Sequence, residues 1–311
     1  MRKSSWYRAC AGAMILAGTC SFAVQKARAV VVFSDDFDRD DNLVSTTGPI
    51  TGHSSVNWNG EIGALTAFGR SGAVGIQGNR MVAVTGDTPS YFQAGYATSN
   101  FASSWNNILT ENTGKIVWTF NMQSSLANLP VFSATESAYT SVVLASTTNN
   151  PTTSRGYAVA WGNPGRKDQL RLTSFAPDGG VPKSDSFIYS GESQTDGDPF
   201  DNIDTEHLSI RVEYDPSTDV WSLFARDDGA SFDDPALGSD FILIGSLGNT
   251  DHVDVPMTQV GFAGVYAGAD FAYTYDNFTI SVVPEPSAFL LGSLGLVGIA
   301  AARRRFGKKV G

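Results

Sequence analysis

The chain of 311 residues carries 31 acidic and 21 basic side chains, a formal net charge of −10. Five basic residues fall in each of two end segments that read as targeting signals, together with one acid, Glu285; without them 11 bases and 30 acids remain, a balance of −19. Such a surface repels nucleic acid and anionic lipid and suits divalent cations or neutral glycans. Both cysteines, Cys10 and Cys20, lie in the first segment, which excludes a disulfide framework for the rest.

Residues 1–29 have the three regions of a cleavable export signal. Arg2, Lys3 and Arg8 give a positive start, Ala9 to Val24 is apolar apart from small polar residues, and Ala27-Arg28-Ala29 offers small residues where a signal peptidase must fit. Cleavage after Ala29 is the expectation, with a helix in the leader.

From residue 30 to 282 no helical periodicity persists. Short alternating stretches separated by Gly, Asn, Asp, Pro and Ser clusters predict one all-β sandwich domain. Strands are expected at Arg80–Thr85, Tyr91–Ala97, Lys115–Met122, Tyr139–Ser146, Gly156–Trp161, Gln169–Ser174, Leu208–Tyr214, Phe241–Ile244, Gln259–Val265 and Tyr275–Val282. In the third of these Ile116, Trp118, Phe120 and Met122 share one face, and Val117, Thr119 and Asn121 the other. Asp215-Pro216-Ser217-Thr218-Asp219 is a turn that returns the chain through Trp221, Leu223 and Ala225, the clearest hairpin. The opening Phe33-Ser34-Asp35-Asp36-Phe37, this hairpin, and the closing Gly261-Phe262-Ala263-Gly264 with Tyr275-Asp276-Asn277-Phe278 resemble concanavalin A-like (laminin G-like) jelly-roll domains. That resemblance implies pairing of the first strand with the last.

Residues 283–311 form the second targeting segment. Pro284 and Pro286 block a helix around Glu285 and leave an extended stretch, followed by fifteen apolar or small residues, Ala288–Ala302, then Arg303-Arg304-Arg305. As a helix that run reaches about 22 Å, short of a bilayer core of about 30 Å. Its cationic end should stay cytoplasmic. Pro-Glu-Pro, apolar run and arginine cluster in this order resemble the PEP-CTERM sorting domain of Gram-negative bacteria. The resemblance implies processing by an exosortase, transient retention in the inner membrane through a short apolar helix, and delivery to the cell surface or extracellular matrix.

Candidate chemistry is sparse. Calcium needs six to eight oxygen ligands; if the terminal strands pair, Asp35, Asp36 and Asp276 approach one another and could hold it, as the resemblance also implies. Two further acidic runs, Asp196 to Glu206 and Asp227-Asp228 with Asp233-Asp234 around Gly229, lack EF-hand spacing and read as solvated loops. For glycans, Trp58, Tyr91 and Trp105 lie near polar loop residues and are candidate platforms, whereas Trp118 and Trp221 alternate as core. No catalytic residue is expected. The Glu-x-Asp-x-x-Glu string of the related β-glucanases is absent, Glu213 reads as a surface ion-pair partner, and His53, His207 and His252 are isolated. Gly72 to Gly78 reads as a turn.

These readings lead to a non-enzymatic exported protein of the cell surface or exopolysaccharide matrix that binds glycan, with structural calcium as the one candidate cofactor. Its expected partners are signal peptidase, an exosortase and exopolysaccharide. Two alternatives stay open: a structural or adhesive matrix protein without a small ligand, and a polysaccharide hydrolase or lyase with an unrecognised site.

Overall fold

Alternation dictates the sandwich. In Lys115–Ser124 the side chains of Ile116, Trp118, Phe120 and Met122 are all fully buried, and in Leu208–Asp215 and Val220–Asp227 so are Ile210, Val212, Trp221, Leu223 and Ala225. Strands with one apolar face must bury it against a second sheet. The computed structural model describes residues 29–44, 48–50, 58–64, 73–84, 90–97, 109–110, 112–124, 139–148, 154–163, 166–176, 185–190, 206–266 and 272–284. The leader with Ala27, the tail beyond Pro284 with Glu285, Pro286 and Arg303 to Arg305, Trp105, and the acidic run from Asp196 to Asp204 lie outside them. Among the described residues no helix is long and apolar enough to cross a membrane.

The first sheet runs in the order β15 (Ile242–Gly248), β14 (Val220–Asp227), β13 (Leu208–Asp215), β8 (Lys115–Ser124), β17 (Ala272–Val283), β6 (Met81–Val84), β5 (Ala73–Ile76) and β2 (Asn42–Val44), and β1 (Val30–Asp35) also pairs with β17. The second runs β12 (Asp185–Tyr189), β11 (Arg166–Phe175), β10 (Gly156–Asn163), β9 (Tyr139–Ser146), β16 (Gln259–Tyr266), β7 (Ser90–Ala97), β4 (Trp58–Ala64) and β3 (Gly48–Ile50). All pairings are antiparallel. The chain passes between the sheets from β2 to β3, β4 to β5, β6 to β7, β7 to β8, β8 to β9, β12 to β13, β15 to β16 and β16 to β17, which makes the fold an all-β jelly-roll sandwich. The Gly72–Gly78 stretch differs from expectation: Ala73–Ile76 is strand, and only Gln77 to Arg80 turns, with Gln77 N donating to Arg80 O at 3.0 Å.

The terminal strands pair as the resemblance implies, Val30 opposite Val282 and Asp35 opposite Phe278. β17 is bonded to β8 along one side, while β6 and then β1 share its other side. At the junction β17 carries one extra residue between Asp276 and Thr279, a bulge in which Asn277 takes φ 50°. Hydrogen bonds reach across the layers: Trp118 Nε1 donates to Leu144 O at 2.9 Å, and the Thr140 and Tyr275 hydroxyls are paired. Trp221 anchors an aromatic column, 4.6 Å from Tyr214, 4.4 Å from Tyr157 and 5.7 Å from Trp118 between centroids.

One outer surface departs from simple alternation. Thr119 and Asn121, on the face of β8 opposite the core, are buried rather than solvated. The loop after β14 folds back over them, and Asn121 Nδ2 donates to Asp228 Oδ2 at 3.2 Å and to Asp233 O at 3.0 Å. The acidic loop read as solvated therefore closes over its own cation: Arg226 Nε donates to Asp228 Oδ1 at 2.7 Å, and Arg226 NH1 to Leu237 O at 2.8 Å. Gly238, at φ 100°, leaves room for that guanidinium; a Cβ there would collide with it. Gly238→Ala is expected to cost about 1–3 kcal/mol, from left-handed strain and displacement of Arg226. Urea unfolding of the two proteins measures it, and an unchanged midpoint would refute this role for the glycine.

Candidate functional site

The first candidate is the corner where β1 ends, β6 begins and β17 bulges. Successive strand residues point to opposite faces, so Asp35 is buried and Asp36 exposed. Asp35 Oδ1 accepts from Phe37 N at 2.9 Å, in a turn that holds Phe37 at φ 52°, and is ion-paired with the buried Arg39. Asp36 Oδ1 accepts from Asp38 N at 3.3 Å. Asp276 Oδ1 accepts from Asn277 N at 2.8 Å, and its other oxygen lies 3.7 Å from Arg80 Nε. Burial pushes the Asp276 carboxyl up to about 6; the nearby Asp36 and Asp35 charges add to the shift, and the Asn277 amide and Arg80 oppose it. Terminal-strand pairing thus brings the three expected carboxylates to one corner without turning them on one point. Among the described residues no group of three or more His, Cys, Asp or Glu side chains could hold a metal. Asp35 is the reason most easily seen, since Arg39 already neutralises it.

The aromatic candidates are partly described. Trp58 opens β4 and Tyr91 lies on the adjacent β7, but Tyr91 is opposite Gly63, five residues along β4 from Trp58. The backbone register keeps them apart. Glu213 sits as expected in a surface ion pair, 3.2 Å from Lys115 Nζ and 3.4 Å from Arg211 Nε.

A second site had no signal in the sequence. At the end of the sandwich where β13 turns into β14, an open cleft of about 480 Å³ lies among Leu109, Thr110, Asn112, Thr113, Tyr214, Pro216, Ser217, Asp219, Val253 and Asp254. Its hairpin wall is rigid for local reasons. Asp215 Oδ1 accepts from Ser217 N at 3.0 Å and Ser217 Oγ at 2.6 Å, fixing the turn. Asp219 takes φ 54°, a conformation Asp tolerates better than most residues. Its Oδ1 accepts from Tyr214 OH at 2.9 Å, and its carbonyl accepts from Asn249 N at 3.1 Å. Burial, reinforced by the Asp219 contact, pushes the Tyr214 phenol well above its ordinary value, so it remains a donor at neutral pH.

The opposite wall is locked to the second sheet. Tyr157 OH donates to Asn249 Oδ1 at 2.9 Å and accepts from His252 N at 3.1 Å, while His252 Nε2 lies 2.8 Å from Phe175 O. Ser174 Oγ donates to Asp251 Oδ2 at 2.6 Å, and this bond, with one from Asn249, holds the Asp251 carboxyl below its usual range. Burial also lowers the His252 imidazole below its ordinary value, which favours the neutral ring. The cleft is a preformed recess over the Trp221 column, offering carboxylate, amide and hydroxyl groups beside apolar Leu109, Pro216 and Val253.

The third segment of the cleft leads directly to the C-terminal tail. Thr113 and Gly114 precede Lys115, the register partner of Val283, and a Cβ on Gly114 would lie 2.5 Å from Val283 O.

Among solved structures the chain is similar to a seed lectin of Lotus tetragonolobus, at 13% identity and TM-score 0.44 over 79% of this chain and 99% of the lectin. It is also similar to a lectin of Bauhinia forficata in complex with GalNAc, at 9% identity and TM-score 0.43 over 78% and 98%. Peanut lectin gives 11% identity and TM-score 0.41 over 83% and 100%. No curated protein sequence matches the chain. Residues 282–305 match the PEP-CTERM protein-sorting motif, so the chain carries that sorting signal, and the match begins inside β17.

Proposed function

We propose that the protein is exported, processed at its C-terminal tail and delivered to the cell surface or exopolysaccharide matrix, where the end cleft binds a glycan without cleaving it. The observation that carries the binding reading is the rigid, open cleft with mixed lining. Sugars present hydroxyls around their edges and C–H groups on their faces, so a site for them pairs a few fixed polar groups with apolar surface. Asp219 and Asp254 supply acceptors, Asn112, Thr110, Thr113 and Ser217 supply both functions, and Leu109, Pro216 and Val253 supply the apolar contact. Two carboxylates in a strongly acidic domain repel uronates and sulfated chains, so the favoured ligands are neutral or amino-bearing polysaccharides. The sorting motif supports the destination and does not bear on the ligand.

A glycan array on the protein is expected to return neutral or cationic polysaccharides. Asp254, exposed at the rim, gives the cleanest variant: Asp254→Ala should weaken binding about tenfold, the scale of one lost hydrogen bond to a charged group, with no change in Tm. An empty array, or full affinity in the variant, rejects the cleft as a glycan site. Shortened chains accumulating during incubation would move the reading to a hydrolase or lyase.

A further inference from the structure

Among the described residues the two sheets run out at four end strands, and three of these are poor templates for further pairing. β2 and β3 have three residues each, and β3 contains Pro49, which has no N–H to give. β12 starts at Asp185 and bulges at Phe187. β15 is different. It runs for seven residues, and from Phe241 to Asn249 the chain has no charged residue and no proline. Its one bulge, at Ile244, leaves Gly245–Gly248 regular.

That regular stretch has backbone groups to spare. Asn249 N donates to Asp219 O, so in this ladder Leu247 with Trp221 and Gly245 with Leu223 are the hydrogen-bonded pairs. The N–H and C=O of Ser246 and Gly248 therefore point away from β14, along the free edge. Apolar surface collects at the same place. Apart from Val30 and Val31 at the start of β1, the large apolar side chains left exposed among the described residues are Tyr189, Leu237, Ile242, Leu243 and Leu247. Three of them lie on β15 and Leu237 lies in the loop that leads into it. Tyr189 belongs to β12, whose Ile188 packs on Gly245.

We infer that β15 is the contact between two copies of this chain, paired antiparallel about a two-fold axis with Leu247 opposite its own copy, so that the two first sheets join into one. In this register Ser246 faces the partner's Gly248 and the reverse, so the outward backbone groups of both residues are satisfied reciprocally, and the bulge stays outside the pairing. Charge favours this strip over the rest of the surface. With 30 acids against 11 bases between the targeting segments, two copies repel each other wherever charged faces meet, and Phe241–Asn249 brings no charge to the contact. The area suffices for a modest dimer. Half-exposed side chains of this size leave on the order of 100 Å² each, so the patch buries on the order of 1,000 Å² over both copies, the lower limit for a specific interface. A Kd on the order of 10 µM is expected. On the glycan reading, which the pairing does not need, the two clefts lie beyond the Gly248 ends of antiparallel strands, and one dimer would tie two polymer chains together.

Both cysteines precede Ala29, so the chain from Val30 to Gly311 with Leu247→Cys carries a single thiol. Opposed residues of a non-hydrogen-bonded pair are about 4.5 Å apart at Cα, within disulfide range. Mild oxidation in detergent should cross-link Leu247→Cys at least tenfold faster than Ser231→Cys, an exposed position in the loop after β14. In sedimentation velocity Leu247→Lys should raise the Kd at least tenfold, since a charge on an edge strand blocks pairing, and higher salt should tighten the parent dimer by screening like charges. A parent chain that stays monomeric at about 100 µM overturns the inference. So does equal cross-linking at the two positions, or a dimer that survives Leu247→Lys, which would place the contact on another surface. The cross-link does not depend on how well Leu247→Lys folds, and the glycan array tests the cleft separately.

Discussion

Asp228→Ala is expected to destabilise the domain by about 3–5 kcal/mol, the range for breaking a buried ion pair from one side. The Asp228 side chain is fully buried, and that of Arg226 is only 12% exposed. Besides Arg226 Nε at 2.7 Å, the carboxylate accepts from Ser209 Oγ at 2.7 Å, Asp233 N at 3.1 Å and Asn121 Nδ2 at 3.2 Å. Removing it strands a guanidinium and deprives three further donors of this partner, beneath a loop that covers the outer face of β8. For a domain of this size the loss corresponds to a fall in Tm of about 6–20 °C. Thermal and urea unfolding measure it, and a loss below about 1 kcal/mol would mean that the loop contributes little to the fold. The double variant Arg226→Met with Asp228→Leu should be less destabilised than either single variant, because no charge is then left unpaired. That comparison separates the ion pair from the packing of the loop.

Arg226 and Asp228 also mark a boundary of what the sequence reveals. Asp228 directly follows β14 and lies two residues from Arg226, so their proximity was legible in the sequence; that the loop beyond would fold back and dehydrate the pair was not. The same holds for Asn121, whose place opposite the core-facing Trp118, Phe120 and Met122 was correctly read, while its burial depended on residues 228–241 more than a hundred positions later. Long alternating strands such as Lys115–Ser124 announce themselves because each apolar residue must choose a face. Asn42–Val44 and Gly48–Ile50 are three residues each, too short to show a period, and they exist because β5 and β4 offer edges to pair with. The cleft was invisible for a related reason: Leu109 to Thr113, Pro216 to Asp219 and Val253 to Asp254 are ordinary loop residues individually, and only the jelly-roll crossings gather them. The sorting motif needs no such gathering, since its three parts are contiguous.

Asp276→Asn should stabilise the domain at pH 7 by up to about 3 kcal/mol and leave it unchanged below pH 4. The sign follows from the raised carboxyl. Burial raises it from the ordinary 3.8 to about 6 in the fold, so between these the folded state binds more protons than the unfolded state. Stability from this group is therefore present below pH 3.8 and is lost as pH rises through 6. The difference of about two units corresponds to about 3 kcal/mol. Asparagine keeps an oxygen to accept the Asn277 amide and carries no charge to desolvate. Urea unfolding at pH 4 and pH 7 tests this, and a variant less stable than the parent at pH 7 would show that Arg80, 3.7 Å away, outweighs burial. The same pair of proteins addresses calcium. A cation shared by Asp276 and the exposed Asp36 would remove the penalty in the parent, raising its Tm with millimolar calcium over chelator, while Asp276→Asn should gain nothing. A parent midpoint indifferent to calcium leaves Asp276 as a buried carboxylate that the bulge of β17 carries at a cost.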